Sequence, residues 1–562
     1  MVYEMNVFQN KFLKKSKKNC KKIWLFIYNT LILQSTNSIN SFSKATNTQM
    51  DSFKALQQIS EHLGKSKVKK IDIIGNDDSD SRFTELYTLL REGKFKNEDE
   101  AARHFYGEKA NRKSDNYRKF KSQFKERLLN TFVFIDASIH TLSDRQSAGI
   151  VLHRDWAIAT LLQGRGLGYA YVVIGERLIA EALKFDFYDI AIDVIAKVKG
   201  YYATQTGDKK KYFYYDDLFE ECTRIVQLEN RARRLFEKIR INYVKSARFQ
   251  PEQAVQARIA YEELKPALEK YNTFNLHFLG RGIEAMQYSC VNNYSELLKV
   301  SESTIAFFRS KSFDCRPPLA SALQTKLMCC IALKKHEEGK QAAVECLEIS
   351  DEGTVNWFKT LELKTILYLH TGQYQKAFDI YDRVRKHKDK KYLQQTYQEM
   401  WLLIEAYLYF LIANGHIAPL SIATADLGEF KISKFLNKMD LYGKDKDGLN
   451  IPTLIVRIIL LLSEKRTDEI NDYLEALNKY RQRHVSPNSA AYRSNEFMKV
   501  LEQLTKTNFN AKDFEAATKG YIKNIKAVPV NVFEDGFRLE MVPYDIVWEL
   551  ILSIMAEKKR RY

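Results

Sequence analysis

Proline is nearly missing from this chain. There are nine among 562 residues, and the first is Pro251. So long a stretch without proline contains nothing that forbids helix continuation. Cysteine is also sparse. The seven are odd in number and no pair has CxxC spacing, which excludes a disulfide framework and a zinc ribbon and points to a reducing cytoplasm. Cys329 and Cys330 sit inside the apolar "KLMCCIAL" and read as small core hydrophobes. The ten histidines are scattered, with no HExxH and no His/Cys cluster at ligand spacing. No Gly-x-Ser-x-Gly occurs, and no Ser/His/Asp set can be built from spacing. "GRGLGYA" (Gly164–Ala170) lacks the Lys-Ser/Thr of a phosphate loop and follows a helix. It reads as a helix break where glycine permits close packing. "NDDSDS" (Asn76–Ser81) lacks the central Gly and closing Glu of a calcium loop. It reads as a solvated loop with Asp80 or Ser81 capping the next helix. No catalytic, cofactor-binding or metal-ligating residue is assigned, no cofactor is expected, and the chain is not expected to be an enzyme.

The apolar run Ile23–Leu33 follows a basic front but is only 11 residues long, too short to span a bilayer. It has the length of a signal-peptide core, yet no small-x-small site follows. Lys, Asn, Ile, Phe and Ser dominate residues 1–49. That composition suggests a disordered or mis-assigned leader with Met50 as the true start; a signal or membrane-surface segment is the alternative. A chain shortened to begin at Met50 is expected to keep its helical content and melting midpoint, read by circular dichroism. Membrane attachment is otherwise not expected.

What the chain has in quantity is charge and helix-forming residues. Eighty-eight Lys and Arg against 70 Asp and Glu give +18. Residues 1–49 hold eight Lys and one acid, +7, leaving +11 for the remainder. Such a balance admits polyanionic partners, though it does not require them. From about Phe53 onward, apolar residues recur at helical spacing. In "NYRKFKSQFKERLLNTF" they are Tyr117, Phe120, Phe124, Leu128 and Phe132, in steps of three and four. The pattern predicts helices at His153–Gln163, Val172–Leu183, Asp189–Tyr202, Tyr212–Ile239, Gln253–Tyr271, Gly282–Cys290, Tyr294–Phe308 and Leu319–Leu333. The turns between them are short, as in stacked antiparallel hairpins.

The segment Leu361–Tyr381 shows what such a hairpin contains. Tyr368 is the aromatic of a first helix and Gly372 closes the turn. Tyr374 follows, Ala377 is the small residue at the crossing, and Tyr381 packs over it. A second set is Phe514, Ala517 and Tyr521, with Pro529 after it; a third is Tyr188 with Ala191. Ala342 precedes Ala377 by 35 positions. These residues resemble a tetratricopeptide repeat. The departures are Leu361 for Trp, Lys364 and Thr365 for Leu-Gly, and Asp389 for Pro. The resemblance implies an all-α fold, a right-handed tetratricopeptide-like α-solenoid whose usual work is to bind a protein segment.

Ahead of the array lies a basic module. Residues 91–127 hold twelve Lys or Arg and seven acids, in predicted helices Phe83–Arg91, Asp99–Phe105 and Asp115–Leu129. Arg118, Lys121 and Lys125 share one face of the third and could lie along phosphates. Three short helices of this kind are compatible with a helix-turn-helix, and the layout resembles that of some bacterial transcription regulators. The solvated face of an ordinary amphipathic helix is the plainer reading. "LYGKDKDGLNIP" (Leu441–Pro452) marks a linker, and the last helix is expected to begin at Pro543, with Lys558, Lys559, Arg560 and Arg561 at its C-terminus. The expected organisation is a leader (1–49), a basic module (50–135), a central array (136–440), a linker (441–452) and C-terminal hairpins (453–562). The expected function is a cytoplasmic scaffold binding another protein, and the alternative is a nucleic-acid-binding regulator.

Overall fold

A computed structural model describes Phe53 and residues 82–133, 143–245, 250–418, 450–484, 492–530 and 540–557. The leader, the Asn76–Ser81 loop, the boundary near 135, most of the linker and the C-terminal cations lie outside these. The described residues are helical, with paired helices and no strand among them. By internal contact they form two units. One holds Phe53 with 82–133 and 146–181; the other holds 143–145 and everything from 182 onward.

In the first unit, α1 (Arg82–Arg91), α2 (Glu98–Tyr106) and α3 (Asp115–Val133) enclose a small core. Tyr117, Phe120 and Phe124 point into it from α3. Phe120 stacks on Phe83 at 5.0 Å and meets Phe105 at 5.1 Å. Asn97 caps α2 by accepting from the Glu100 N–H at 3.0 Å. The unit also holds α4 (Asp144–Gly164) from Gln146 on and α5 (Gly168–Lys184) as far as Glu181. Between them Gly166 sits at φ +77°, and the space its Cβ would take is open. Glycine is there for its backbone angle, not for the close packing expected of "GRGLGYA".

The second unit runs through α6 (Tyr188–Tyr201), a π-helical turn (Tyr202–Thr206), α7 (Lys209–Lys245), α8 (Gln250–Lys270), α9 (Phe274–Ser289) and α10 (Tyr294–Arg309). It continues with α11 (Arg316–Ala332), α12 (His336–Glu348), α13 (Val355–His370), α14 (Tyr374–Lys386) and α15 (Gln395–Ala413). The last helices are α16 (Asn450–Ser463), α17 (Thr467–His484), α18 (Tyr492–Lys506), α19 (Ala511–Lys526) and α20 (Tyr544–Glu557). From α9 on, each helix packs on the next. Helix α15 is apolar nearly all round and correspondingly buried, with Trp401, Tyr407 and Phe410 fully enclosed; α13 is buried nearly all round too, around Phe358, although it carries Lys359, Thr360, Glu362 and Thr365 inward. Helix α14 buries one face only: Ala377, Phe378, Tyr381 and Val384.

Several helix starts differ from expectation: α4 begins at Asp144 rather than His153 and α5 at Gly168 rather than Val172, and two further differences have a residue-level reason. Helix α9 starts at Phe274, eight residues before Gly282. Gly280 and Gly282 lie inside it because a Cβ there would meet Leu268 Cδ2 at 2.8 Å and Phe236 Cε2 at 3.0 Å. Glycine here permits a close crossing and does not end the helix. At the other end, Pro543 precedes α20; its carbonyl accepts from the Val547 N–H at 2.9 Å, which makes it the cap rather than the first helical residue.

A shared turn marks the hairpins. Asp186, Asn292, Lys334, Gly372, Gly415 and Lys465 all have positive φ. After each, the next N–H reaches the carbonyl five residues back: Phe187 to Ala182, Asn293 to Tyr288, Lys335 to Cys330, Gln373 to Tyr368, His416 to Leu411, Arg466 to Leu461, at 2.8–3.0 Å. This closure satisfies orphan carbonyls of the first helix and starts the second. It also sets a register. Five residues past the turn stand Ala191, Leu297, Gly339, Ala377 and Ile470, all buried. The residue equivalent to Ala377 is therefore Gly339, 38 positions earlier, and not Ala342. From Asn292 the turns are 42 (334 − 292) and then 38 (372 − 334) residues apart.

Ala377 is fully enclosed. Ala377→Leu is expected to overpack the α13–α14 crossing and cost about 1–3 kcal/mol. A urea midpoint equal to that of the parent would show that the crossing has slack.

Candidate interaction surfaces and buried polar clusters

The sequence-selected residues fall into three groups. Tyr368, Gly372, Tyr374, Ala377 and Tyr381 come together at the α13–α14 turn. Gly372 has φ +69°, Ala377 and Tyr381 are buried, and Tyr368 and Tyr374 pack half-buried against the core. In the second set the register is off by one. Phe514 is buried and Tyr521 half-buried, but Ala517 is exposed and Thr518 takes the inward position. Thr518 can do so because its hydroxyl donates to the Phe514 carbonyl at 2.6 Å and accepts from Trp548 Nε1 at 2.9 Å, so no polar atom is left stranded.

The third group is the basic face of α3. Arg118 is exposed, 3.5 Å from Asp115, and Lys125 is exposed. Lys121 is drawn inward: its Nζ is 2.5 Å from Glu98 Oε1, and both side chains are largely covered. A lysine held in this way is not available to a phosphate without breaking a shielded pair. The three cations are not equivalent, as helical spacing alone had made them.

Besides the buried Lys359–Glu362 pair within α13, 2.8 Å apart, buried charge collects at two places in the second unit where distant elements meet, which spacing could not reveal. At the first, Asp186 sits in the turn before α6. Its carboxylate accepts from the Phe274 N–H at 2.9 Å and from Lys311 Nζ at 2.6 Å. Arg145 donates to the Phe185 carbonyl at 2.8 Å and the Asp186 carbonyl at 3.2 Å. Its guanidinium lies between the rings of Phe187 and Phe274, 4.1 and 4.0 Å from their centroids. Burial draws its pKa down to about 10. Nearby, Glu229 on α7 accepts from Thr273 Oγ1 at 2.8 Å and Asn275 Nδ2 at 3.0 Å. Burial raises Glu229 to about 7 against these two hydrogen bonds. His277, one turn into α9, donates from Nε2 to the Tyr271 carbonyl at 3.0 Å and accepts at Nδ1 from Arg281 at 3.3 Å. It stacks on Phe307 at 3.9 Å. A ring so engaged is neutral, and burial followed by Arg281 lowers its pKa to about 4.

The second place ties the C-terminal segment to the array. Arg493 on α18 makes a two-pronged pair with Glu540, at 2.6 and 2.9 Å. It also donates to the carbonyls of Ile525 and Val528. The Glu540 carboxylate accepts from the Tyr544 N–H at 3.2 Å. The Glu540 carbonyl accepts from His370 Nε2 at 2.6 Å, across 170 residues. Tyr544 stacks on Phe497 at 4.4 Å and bonds Ser494 at 3.1 Å. Here too burial holds the histidine neutral, at about 4.

Both clusters satisfy charges across elements and behave as staples. The six described cysteines are buried and form no disulfide with one another. Burial pushes the Cys315 thiol up to about 12 and those of Cys222 and Cys330 to about 11, so these three are not poised as thiolates. Among the described residues no group of three or more His, Cys, Asp or Glu is placed to hold a metal ion. No described helix is long and apolar enough to cross a membrane. No known family, curated protein or solved structure matches this chain.

Two exposed patches in the second unit stand out. On α7 and α8, Ile241, Val255 and Ile259 are each about half exposed. Val255, Ile259 and Glu262 form a stripe at helical spacing. Residues 250–270 carry four acids and three cations, net −1, inside a basic chain. At the start of α7, Lys209 and Lys210 are exposed beside exposed Phe213 and Tyr214. Neither patch is legible in the sequence pattern. An apolar residue on the outer side of an amphipathic helix carries no signal until the inner side is known.

Proposed function

We propose that the chain is a tetratricopeptide-like, right-handed helical scaffold of the reducing cytoplasm that binds another protein and has no catalytic activity of its own. The observation that carries this reading is the α7–α8 stripe. Ile241, Val255 and Ile259 expose apolar surface beside Glu252 and Glu262, while Glu263 is held by Arg231 of α7. A groove-lying amphipathic helix with basic flanks meets such a surface with both its faces satisfied. The test is capture by the full chain, with and without nuclease, set beside the same experiment with Val255→Glu/Ile259→Glu. Nuclease-resistant capture of one protein, lost in the variant, is the expected result. Capture that survives the variant or vanishes with nuclease overturns it.

The second reading, a nucleic-acid-binding regulator, is favoured by Lys209 and Lys210 beside Phe213 and Tyr214, since cations next to exposed rings suit phosphates and stacked bases. On α3 it is left with Arg118 and Lys125. Fluorescence anisotropy with single- and double-stranded DNA at two salt concentrations decides it. Binding that falls with salt by about one unit of slope per lost cation supports the reading, and no binding at low salt rejects it.

A further inference from the structure

The strongest unexplained feature is the outer side of α4 and α5. Sixteen large apolar side chains are exposed among the described residues, and six of them lie between Ile150 and Val173. Ile158 is 46% exposed, Leu161 67%, Leu167 51%, Tyr169 77% and Val173 51%. They are not scattered. On α4, Ile150, Arg154, Ile158 and Leu161 follow in steps of four, four and three, one straight stripe. On α5, Tyr169 and Val173 continue it, four apart, with Arg177 next. The inner side is a separate set, with Leu152, Ala159, Tyr171, Val172, Leu178 and Ile179 buried. Trp156 against Tyr171, at 6.0 Å, joins the two helices. The hairpin is thus apolar on both sides, and only one side is covered by described residues.

Charge says what covers the other. Residues 156–175 contain a single charged group, Arg165. Over 146–181 there are three arginines and three acids, 3 − 3 = 0, in a chain of +18. Arg154 and Arg177 share the one carboxylate of Asp155, at 3.1 and 2.8 Å, and Glu176 and Glu181 bring the segment to zero. A nucleic acid, an anionic membrane or an acidic protein would be met by an excess of cations, and residues 146–181 have none. Two molecules each bearing +18 repel except where a surface is locally neutral. The stripe is such a surface, and a face that is neutral and apolar is complementary to itself, as a two-fold contact requires.

We propose that the α4–α5 stripe is a self-association face, on which two copies of this chain pair through Ile158, Leu161, Leu167, Tyr169 and Val173 into a two-fold dimer. The contact lies within one unit and does not depend on the partner-binding reading of α7–α8.

The test is sedimentation velocity on the full chain over a concentration series centred at roughly 10 µM. The parent is expected to sediment as a dimer. Leu161→Glu/Tyr169→Glu is expected to weaken it at least about tenfold while circular dichroism is unchanged, both residues being exposed. A second pair of variants makes the result specific to a face that meets itself. Leu161→Glu and Leu161→Arg should each be weakened alone, and an equimolar mixture should recover the dimer as a heterodimer. A parent that stays monomeric across the series overturns the proposal, as does a dimer that the double variant leaves intact. Binding of the monomer to phosphatidylcholine/phosphatidylserine vesicles, lost in Leu161→Glu/Tyr169→Glu, overturns it in favour of a membrane.

Discussion

Arg493→Met is expected to lower the stability of the second unit by about 3–5 kcal/mol, because it leaves the Glu540 carboxylate buried without its counter-charge. Both partners of the pair are almost completely enclosed. The carboxylate would keep its hydrogen bond from the Tyr544 N–H. The carbonyls of Ile525 and Val528 would lose the guanidinium donor as well, although the Ile525 carbonyl still accepts from the Val528 N–H at 3.3 Å. The damage should spread to where the C-terminal segment meets the array. Glu540 also holds His370 through its carbonyl, and Tyr544 follows four residues later on Phe497. Hydrogen exchange should therefore quicken together in α13, α18 and α20. The control is Arg493→Met/Glu540→Leu. With both charges gone the double variant should lose less than the sum of the two single losses, since each single change strands the other's charge. Additive losses would show that the pair is not a unit and that water reaches it.

Helices were the part of this fold that the sequence displayed. Tyr117, Phe120 and Phe124 declare the buried face of α3 by spacing alone, and the Gly372 turn declares its hairpin. Finer structure was hidden wherever one residue type serves two physical ends. Gly282 looked like a boundary and is a close crossing. Gly166 looked like a close crossing and is a turn. Ala517 looked like the small inward residue, yet Thr518 is the one enclosed, because its hydroxyl finds the Phe514 carbonyl. The period was hidden for a related reason. The turns repeat in geometry but not in residue, as Asn292, Lys334 and Gly372 share a left-handed backbone and nothing else. The clusters were hidden by distance. Arg145 meets Asp186 across 41 positions and His370 meets Glu540 across 170, and no local pattern joins them. The candidate surfaces were least legible of all, since an exposed Leu161 or Val255 is recognisable only after the inner face has been filled.

Acidification acts on the second unit through buried groups that oppose one another, and variants of three of them, His277, His370 and Glu229, separate the two directions. His277 and His370 are held neutral in the fold, at about 4 against an ordinary 6.5. Between those values the unfolded chain binds protons that the folded one refuses. Each histidine's contribution is therefore present above pH 6.5 and lost as the pH falls towards 4, about 3 kcal/mol apiece. Glu229 works the other way. Burial holds it at about 7 against an ordinary 4.5, so the folded state keeps a proton that the unfolded state releases. Its contribution is present below pH 4.5 and lost as the pH rises through 7, again about 3 kcal/mol. From pH 6.5 to 4.5 the two histidines and this carboxyl pull in opposite directions; the raised Glu284 and Glu362 act with Glu229, and the lowered His336 acts with the histidines. Burial sets these directions; of the charged groups facing them, Arg281 and Lys311 add to it at His277, His336 and Arg493 add to it and Asp545 opposes it at His370, and Asp189 adds to it and Arg145 opposes it at Glu229. The variants separate the terms. His277→Gln/His370→Gln should flatten the acid limb of the urea midpoint between pH 6.5 and 4.5. Glu229→Gln should steepen it by removing the opposing term. Its new amide can donate to Asn275 Oδ1, which has no partner in the parent, if the Asn275 side chain turns over. A Glu229→Gln limb parallel to that of the parent would mean that Glu229 is ionised in the fold, with the charge of Arg145 outweighing burial.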